Sequence, residues 1–421
     1  MRINYALVIY FLKQIIKINS MDINKFDLYN PPEDLVEKAY LYYSQLRENN
    51  PIHENSDGSF IVTSYETLVD IYKNHQLWSS DKKEEFKPKF GNSLLYEHHT
   101  TSVVFTDQPD HTRIRKIFQH AFTPRALAHI ENNVEQLVQS YIDEMKEKKD
   151  IEFVRDFSFR LPVDVVCDIL GVPKEDRKLI RDWARLILGA LEPTLSEEQF
   201  KSGCSAVLNF KNYLKDQVNL RKKNPHLSRD GEIISTLIDA QSSGIELSEV
   251  ELLHQCIFML NAGHETSTNM LSHGMCEFIN NKDQLDLLRN DETLISSAIE
   301  EILRYHPPIQ VNNRRNKEDT ILENKKIPKG TSVHMIIAAA NRDPKQFNNP
   351  DKFIVSRKPN KHLSFGLGIH ICAGNTLARI EGRVAFLKLV RSFKDFNLQA
   401  KPKIANRIRF REIEQLNIEV S

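Results

Sequence analysis

Ser248 and Glu251 form a capping box, and Val250, Leu253, Ile257 and Leu260 continue an apolar helical face from it towards Asn281. At 1.5 Å per residue this helix spans about 50 Å, the width of a whole domain. A helix of that length has to be surrounded, and most of the remaining sequence has helical rather than alternating periodicity. Two stretches break the period, Ser59–Thr63 and Thr320–Ile337, the second with turn residues at Asn324 and Lys329-Gly330. The expected fold is mainly α with a minor β region.

The 421 residues exceed the roughly 250 to 300 at which single cores usually divide. No linker, repeat or low-complexity tract marks a boundary between Asp34 and Phe396, so residues 21–421 are expected to form one domain. The first twenty residues carry an apolar run, Ala6 to Leu12, which Lys13 ends far short of the ~20 residues that a membrane span needs. They are read as an N-terminal extension ahead of an alternative start at Met21, with a weak interfacial helix as the other account.

Lysine plus arginine equals aspartate plus glutamate at 57 each, so no net field exists to hold nucleic acid or an anionic membrane. A small neutral partner fits better. The five cysteines, at 167, 204, 256, 276 and 372, form no CxxC pair. That spacing argues against zinc ribbons, iron-sulfur clusters and a disulfide framework, and for a reducing cytoplasm.

Inside the long helix lies Ala262-Gly263-His-Glu265-Thr266-Ser-Thr268. Glycine there costs about 1 kcal/mol against alanine, and a buried Glu265 needs a partner or a proton, so a mere packing notch would be a costly one. A threonine hydroxyl can donate back to the carbonyl four residues earlier, here Ala262, and loosen the helix locally.

A second unusual stretch runs from His362 through Phe365, Gly366, Gly368, His370 and Cys372 to Gly374, just ahead of a helical pattern from Asn375 to Phe393. A cysteine beside a helix N-terminus meets unpaired N–H groups that favour its thiolate. Glycines at 366, 368 and 374 let the backbone pass close to a flat group. A lone cysteine is ordinarily a small buried hydrophobe, so its surroundings decide the reading.

The spacing of Phe365, Gly368, His370, Cys372 and Gly374 resembles the haem-binding loop of cytochrome P-450 enzymes. Ala262 to Thr266 is similar to the oxygen-activation motif of the same family, and Glu301 with Arg304 resembles its Glu-x-x-Arg pair. Asp107-Gln-Pro-Asp-His111-Thr-Arg-Ile-Arg115 resembles the helix that grips the haem edge. Together these cover the chain from about Asn30 to Phe396 in the expected order.

The resemblance implies the cytochrome P-450 fold, with haem b between the long central helix and the cysteine loop, and Cys372 as axial thiolate. It implies that His111, Arg115, Arg314 and His370 are partners of the propionates, with Arg315 ranked behind Arg314. Phe365, Gly366, Gly374, Ala262 and Gly263 flank the cofactor, Thr266 orders hydrogen bonds to dioxygen, and Glu265 belongs to a proton relay. Glu301 and Arg304 tie their helix to Asn348–Phe353, where the family's usual arginine is replaced by Lys352. Either that triad is looser here or Arg342 completes it.

The implied activity is a soluble, cytoplasmic, monomeric monooxygenase that hydroxylates or epoxidises an organic molecule. Electrons would come from NAD(P)H through a separate reductase and a ferredoxin or flavodoxin, docking near Arg113 and Lys116. Three rivals stand beside it: a peroxide-using peroxygenase, a non-catalytic haem-binding or recruitment protein of the same fold, and a haem-free helical protein. Segments around 79–104, 185–200, 258–261, 308–311 and 404 are expected to face the substrate, whose identity they do not spell out.

Overall fold

The computed structural model describes residues 23–121, 124–148, 150–192, 195–227, 232–242 and 247–421. The N-terminal extension and the choice of Met1 or Met21 lie outside them. Helices predominate, and eight frame the site: α1 (Leu94–Thr101), α2 (Asp110–Ala121), α3 (Arg160–Leu170), α4 (Arg177–Gly189), α5 (Glu197–Lys223), α6 (Glu249–Asn280), α7 (Ile295–Tyr305) and α8 (Asn375–Ser392). Among the described residues, no helix is long and apolar enough to cross a membrane.

The expected long helix is α6, with 32 residues. Its capping box is formed: the Glu251 N–H donates to Ser248 Oγ at 3.1 Å, and the Ser248 N–H donates back to the Glu251 carboxylate at 2.8 Å. From Leu252 to Ile279 nearly every side chain is buried, because α3, α4, α5, α7 and α8 all pack on it. Burial on all sides explains why α6 shows no clean amphipathic stripe. α3 stops at Gly171, which takes φ +83° and closes the helix with a left-handed cap.

A five-stranded sheet lies beside the helices: β1 (Ile52–Glu54), β2 (Phe60–Val62), β3 (Trp78–Ser79), β4 (Val311–Asn316) and β5 (Ser332–Ile336), in the order β1-β2-β5-β4-β3. β2 runs parallel to β5, and β4 pairs antiparallel with β5 from Val311↔Ile336 to Arg315↔Ser332. β2 and β5 match the expected β stretches. β4 does not appear in that reading because its sequence, VNNRRN, is polar and carries no alternation; pairing on both sides makes it a strand. Near the C-terminus, β6 (Lys403–Ile404) and β7 (Ile413–Gln415) form a hairpin. Its connecting segment returns to the sheet, where the Gln310 N–H donates to the Arg409 carbonyl at 2.8 Å.

The charge triad requires a correction. Glu301 and Arg304 are both fully buried, and Arg304 donates to the Glu301 carboxylate from Nε at 2.7 Å and from Nη2 at 2.8 Å. The third member is neither Lys352 nor Arg342. It is Arg357, whose Nε donates to both Glu301 oxygens at 2.9 and 3.1 Å. The Lys352 side chain is exposed, and only its backbone carbonyl takes part, accepting from Arg304 and Arg357. Arg342 is drawn off by the rings of Tyr40 and Tyr305, at 3.5 and 3.8 Å from their centroids, and by Asp351. A lysine could not supply the planar, two-pronged contact that Glu301 receives.

Candidate active site

The cysteine loop is held from both sides. Asn341 accepts the Leu363 N–H at 2.8 Å and donates to Ser364 Oγ, which itself donates to the Leu303 carbonyl at the end of α7. From α8, Arg379 grips Glu300 of α7 with two bonds of 2.6 and 2.9 Å and lies over the Phe365 ring at 4.5 Å. Within the loop the Cys372 N–H donates to the Phe365 carbonyl at 2.9 Å. Gly366 and Gly368 take φ +65° and +71°, and a Cβ on Gly368 would lie 2.5 Å from the Tyr72 carbonyl oxygen. Gly368→Ala is therefore expected to lower stability by about 2 kcal/mol or more in urea unfolding, from backbone strain added to a clash. Gly374 differs: its φ is ordinary and an added Cβ would meet nothing within 4 Å.

Cys372 faces a cavity that is lined by Phe365, Gly366, Gly374, Leu377 and Ala378 from its own side and by Ala262, Gly263, Thr266, Ser267 and Met270 of α6. The expected loop and helix thus enclose one space. Burial pushes the Cys372 thiol up, while the Gly374 N–H, Arg115 and Arg379 pull it down. In the protein alone burial wins over the helix N-terminus, the reverse of what position in sequence implied.

Helix α6 runs unbroken through its polar stretch. Thr266 Oγ1 donates to the Ala262 carbonyl at 2.8 Å, and Thr268 repeats the pattern onto His264 at 3.0 Å. Gly263 has a packing reason of its own: an added Cβ would lie 2.7 Å from the Val166 methyl group of α3. Glu265 does not line the cavity. It is ion-paired to Arg407, which also holds Glu192 at 3.0 Å and Glu412 at 2.9 Å. Burial pushes the Glu265 carboxyl up to about 7; Arg407 opposes this, and Glu412 and Glu192 add to it. Glu265 therefore exchanges its proton near neutrality.

His111, Arg115, Arg314 and His370 reach the same cavity from α2, β4 and the cysteine loop. Arg115 donates to the Ile371 carbonyl at 2.6 Å, and Arg314 donates to the Asn313 carbonyl at 2.9 Å with its guanidinium over Tyr72. Arg315 points elsewhere, to Glu84 and the Gly330 carbonyl. The two histidine rings lie 4.0 Å apart, centroid to centroid. Both are held neutral, so each ring carries a single N–H and no charge. For His370, pushed down to about 2, burial is the main cause, followed by Arg314 and His111; for His111 it is burial and then Arg115.

Neither Arg115 nor Arg314 has an ion-pair partner among the described residues, and His111 Nδ1 and His370 Nε2 are buried without a hydrogen-bond partner. Buried donors of this kind are costly unless an acceptor joins them. Two guanidinium groups and two neutral imidazoles at one edge, a thiol at the floor and an apolar wall fit a flat group bearing carboxylates at that edge.

Three participants escaped the sequence reading. Arg357 and Asn360, which donates to Glu301 at 3.1 Å, lie more than fifty residues from their partner in an irregular segment. Arg407 lies in the C-terminal hairpin, where no local pattern points to Glu265.

Residues 55–411 match the family model of cytochrome P450, and the chain belongs to that family. It is 30% identical over 410 residues to cytochrome P450 CYP107DY1 of Priestia megaterium, covering 93% of this chain and 98% of that one. It is 33% identical over 371 residues to the biotin biosynthesis cytochrome P450 of Bacillus subtilis, covering 87% and 91%. The crystal structure of P450BioI in complex with hexadec-9Z-enoic acid ligated acyl carrier protein superposes with a TM-score of 0.86 at 32% identity, covering 92% of this chain and all of that one. The fold is accordingly the cytochrome P450 fold and the protein a haem-thiolate monooxygenase.

Proposed function

We propose that Cys372 would hold haem b through its thiolate and that the enzyme inserts one oxygen atom of O2 into a lipophilic small molecule, by hydroxylation or epoxidation. The observation that carries this is the single cavity that joins Cys372, Thr266 and the unpaired donors Arg115 and Arg314. Thiolate-ligated haem supplies reductive activation of dioxygen and transfer of one oxygen atom to carbon.

The protein's own residues then have separate tasks. Arg115, Arg314, His111 and His370 would hold the carboxylates of the haem, and Phe365, Gly366, Gly374, Ala262 and Gly263 would flank it. Thr266 Oγ1 already donates to Ala262, which leaves its lone pairs to accept from a water in the cavity. Glu265 takes protons in from the Arg407 side, its ionisation poised near neutral pH. Thr266→Ala is expected to cut product formed per NAD(P)H consumed roughly tenfold, with hydrogen peroxide as the balance. Catalysis driven by peroxide alone at an undiminished rate would favour the peroxygenase instead.

Electrons are read as coming from NAD(P)H through a reductase and a ferredoxin or flavodoxin. On α2, Arg113 is engaged by Glu251 at 2.5 Å and by Asp110, so exposed Lys116 is the more open of the two expected docking residues. Relatives named for biotin and polyketide biosynthesis in Bacillus subtilis support a role in the metabolism of a lipophilic compound. The five unpaired cysteines agree with a cytoplasmic site, and residues 21–421 are read as one catalytic domain. The test of the whole reading is the carbon monoxide spectrum described below.

A further inference from the structure

The segment between β6 and β7 presents three arginines with three different fates. Arg407 is committed to Glu192, Glu265 and Glu412, and Arg411 donates to the Val36 carbonyl at 2.8 Å. Arg409 lines the cavity, and its guanidinium has no ion pair or hydrogen bond among the described residues; only its backbone is used, the N–H towards Glu192 at 3.3 Å and the carbonyl by the Gln310 N–H at 2.8 Å. That carboxylate is already taken by Arg407 and by the Ile408 N–H. A half-buried cation is thus left facing an apolar space.

A second unsatisfied group lines the same cavity, within reach of the Arg409 charge. His99, on α1, is buried against the rings of Phe86, Phe90 and Phe105, lines the same cavity, and has no partner for Nε2. Burial holds this imidazole neutral, with the charges of Lys89 and Arg409 adding to the effect, and the tautomer with its N–H on Nε2 can donate. Lys89 is spent on the Glu192 carbonyl. The surrounding wall is mostly hydrocarbon, from Val103, Val104, Leu188, Leu191, Phe258 and Phe410, with His98, Ser102 and Asn261 among them. This group is distinct from the haem-edge donors, because the charge of Arg409 acts on His99 and Lys89, whereas His111 and His370 feel Arg115 and Arg314.

We propose that Arg409, assisted by His99, is a carboxylate-binding subsite of the substrate cavity, so that the enzyme takes an amphiphilic carboxylic acid with its hydrocarbon body against the apolar wall. The two groups match the two oxygens of a carboxylate, and the anion answers the one cavity cation that, among the described residues, has neither a protein partner nor a place at the haem edge. The inference rests on the proposed monooxygenase reading.

The haem-loaded enzyme is titrated with straight-chain carboxylates from octanoate to hexadecanoate and with their methyl esters. Binding is followed by the Soret shift and by calorimetry. The expected result is that at least one acid binds about tenfold or more tightly than its ester. Arg409→Ala should remove that preference without changing ester affinity, and Arg409→Lys should restore part of it. Equal binding of acid and ester throughout the series, or a preference that survives in Arg409→Ala, would overturn the subsite. The carbon monoxide spectrum of both proteins separates the two claims. A thiolate-type band with no acid preference defeats the subsite alone, whereas absence of that band in the unaltered enzyme defeats the monooxygenase reading.

Discussion

Arg357→Ala is expected to destabilise the protein by about 3–5 kcal/mol, whereas Lys352→Ala should stay within about 0.5 kcal/mol of the parent. Glu301 is fully buried and accepts from Arg304, Arg357, Asn360 and the Ile354 N–H. Arg357 also donates to the carbonyls of Asn348, Asn349 and Lys352, so its removal takes half of the positive charge from around Glu301 and one donor from each of these carbonyls, of which Lys352 keeps Arg304 and Asn349 keeps the Lys352 N–H. Lys352 loses nothing on truncation, since the cluster uses only its backbone. Urea unfolding of the two variants beside the parent checks this, and a large loss in Lys352→Ala with none in Arg357→Ala would reverse the assignment. Because the cluster ties α7 to the segment that leads into the cysteine loop, Arg357→Ala should also retain less haem.

The contrast between these two residues shows what local sequence carries and what it does not. The capping box of α6, the hydroxyl of Thr266 bonded back to Ala262, and the cysteine just ahead of α8 are all relations between residues within four positions. Such relations are written in the spacing. Glu301 meets Arg357 across 56 residues and Glu265 meets Arg407 across 142, and both arginines lie in segments without a helical or alternating period. Only the packing of α7 and the C-terminal hairpin brings them together. The charge state of His111 and His370 was hidden for a related reason: it depends on burial and on arginines from other elements, neither of which a motif encodes. β4 stayed hidden because its polar residues take their strand conformation from β3 and β5 rather than from their own pattern.

Cys372→Ala is expected to abolish monooxygenase turnover while the apoprotein keeps its fold. The loop is held by Asn341, Ser364, Arg379 and the glycine conformations, none of which uses the sulfur. Burial keeps the thiol protonated in the protein alone; with haem bound the sulfur would be a thiolate, and the Gly374 N–H, Arg115 and Arg379 are placed to stabilise its negative charge. Alanine leaves the edge donors Arg115, Arg314, His111 and His370 intact, so the variant should still take up haem weakly, without a sulfur ligand.

The carbon monoxide difference spectrum of the dithionite-reduced protein, recorded beside Cys372→Ala, tests this most directly. The account predicts a Soret band at about 450 nm in the parent that disappears in the variant. A parent band at about 420 nm, no bound haem, or a band at about 450 nm that persists in Cys372→Ala would contradict it.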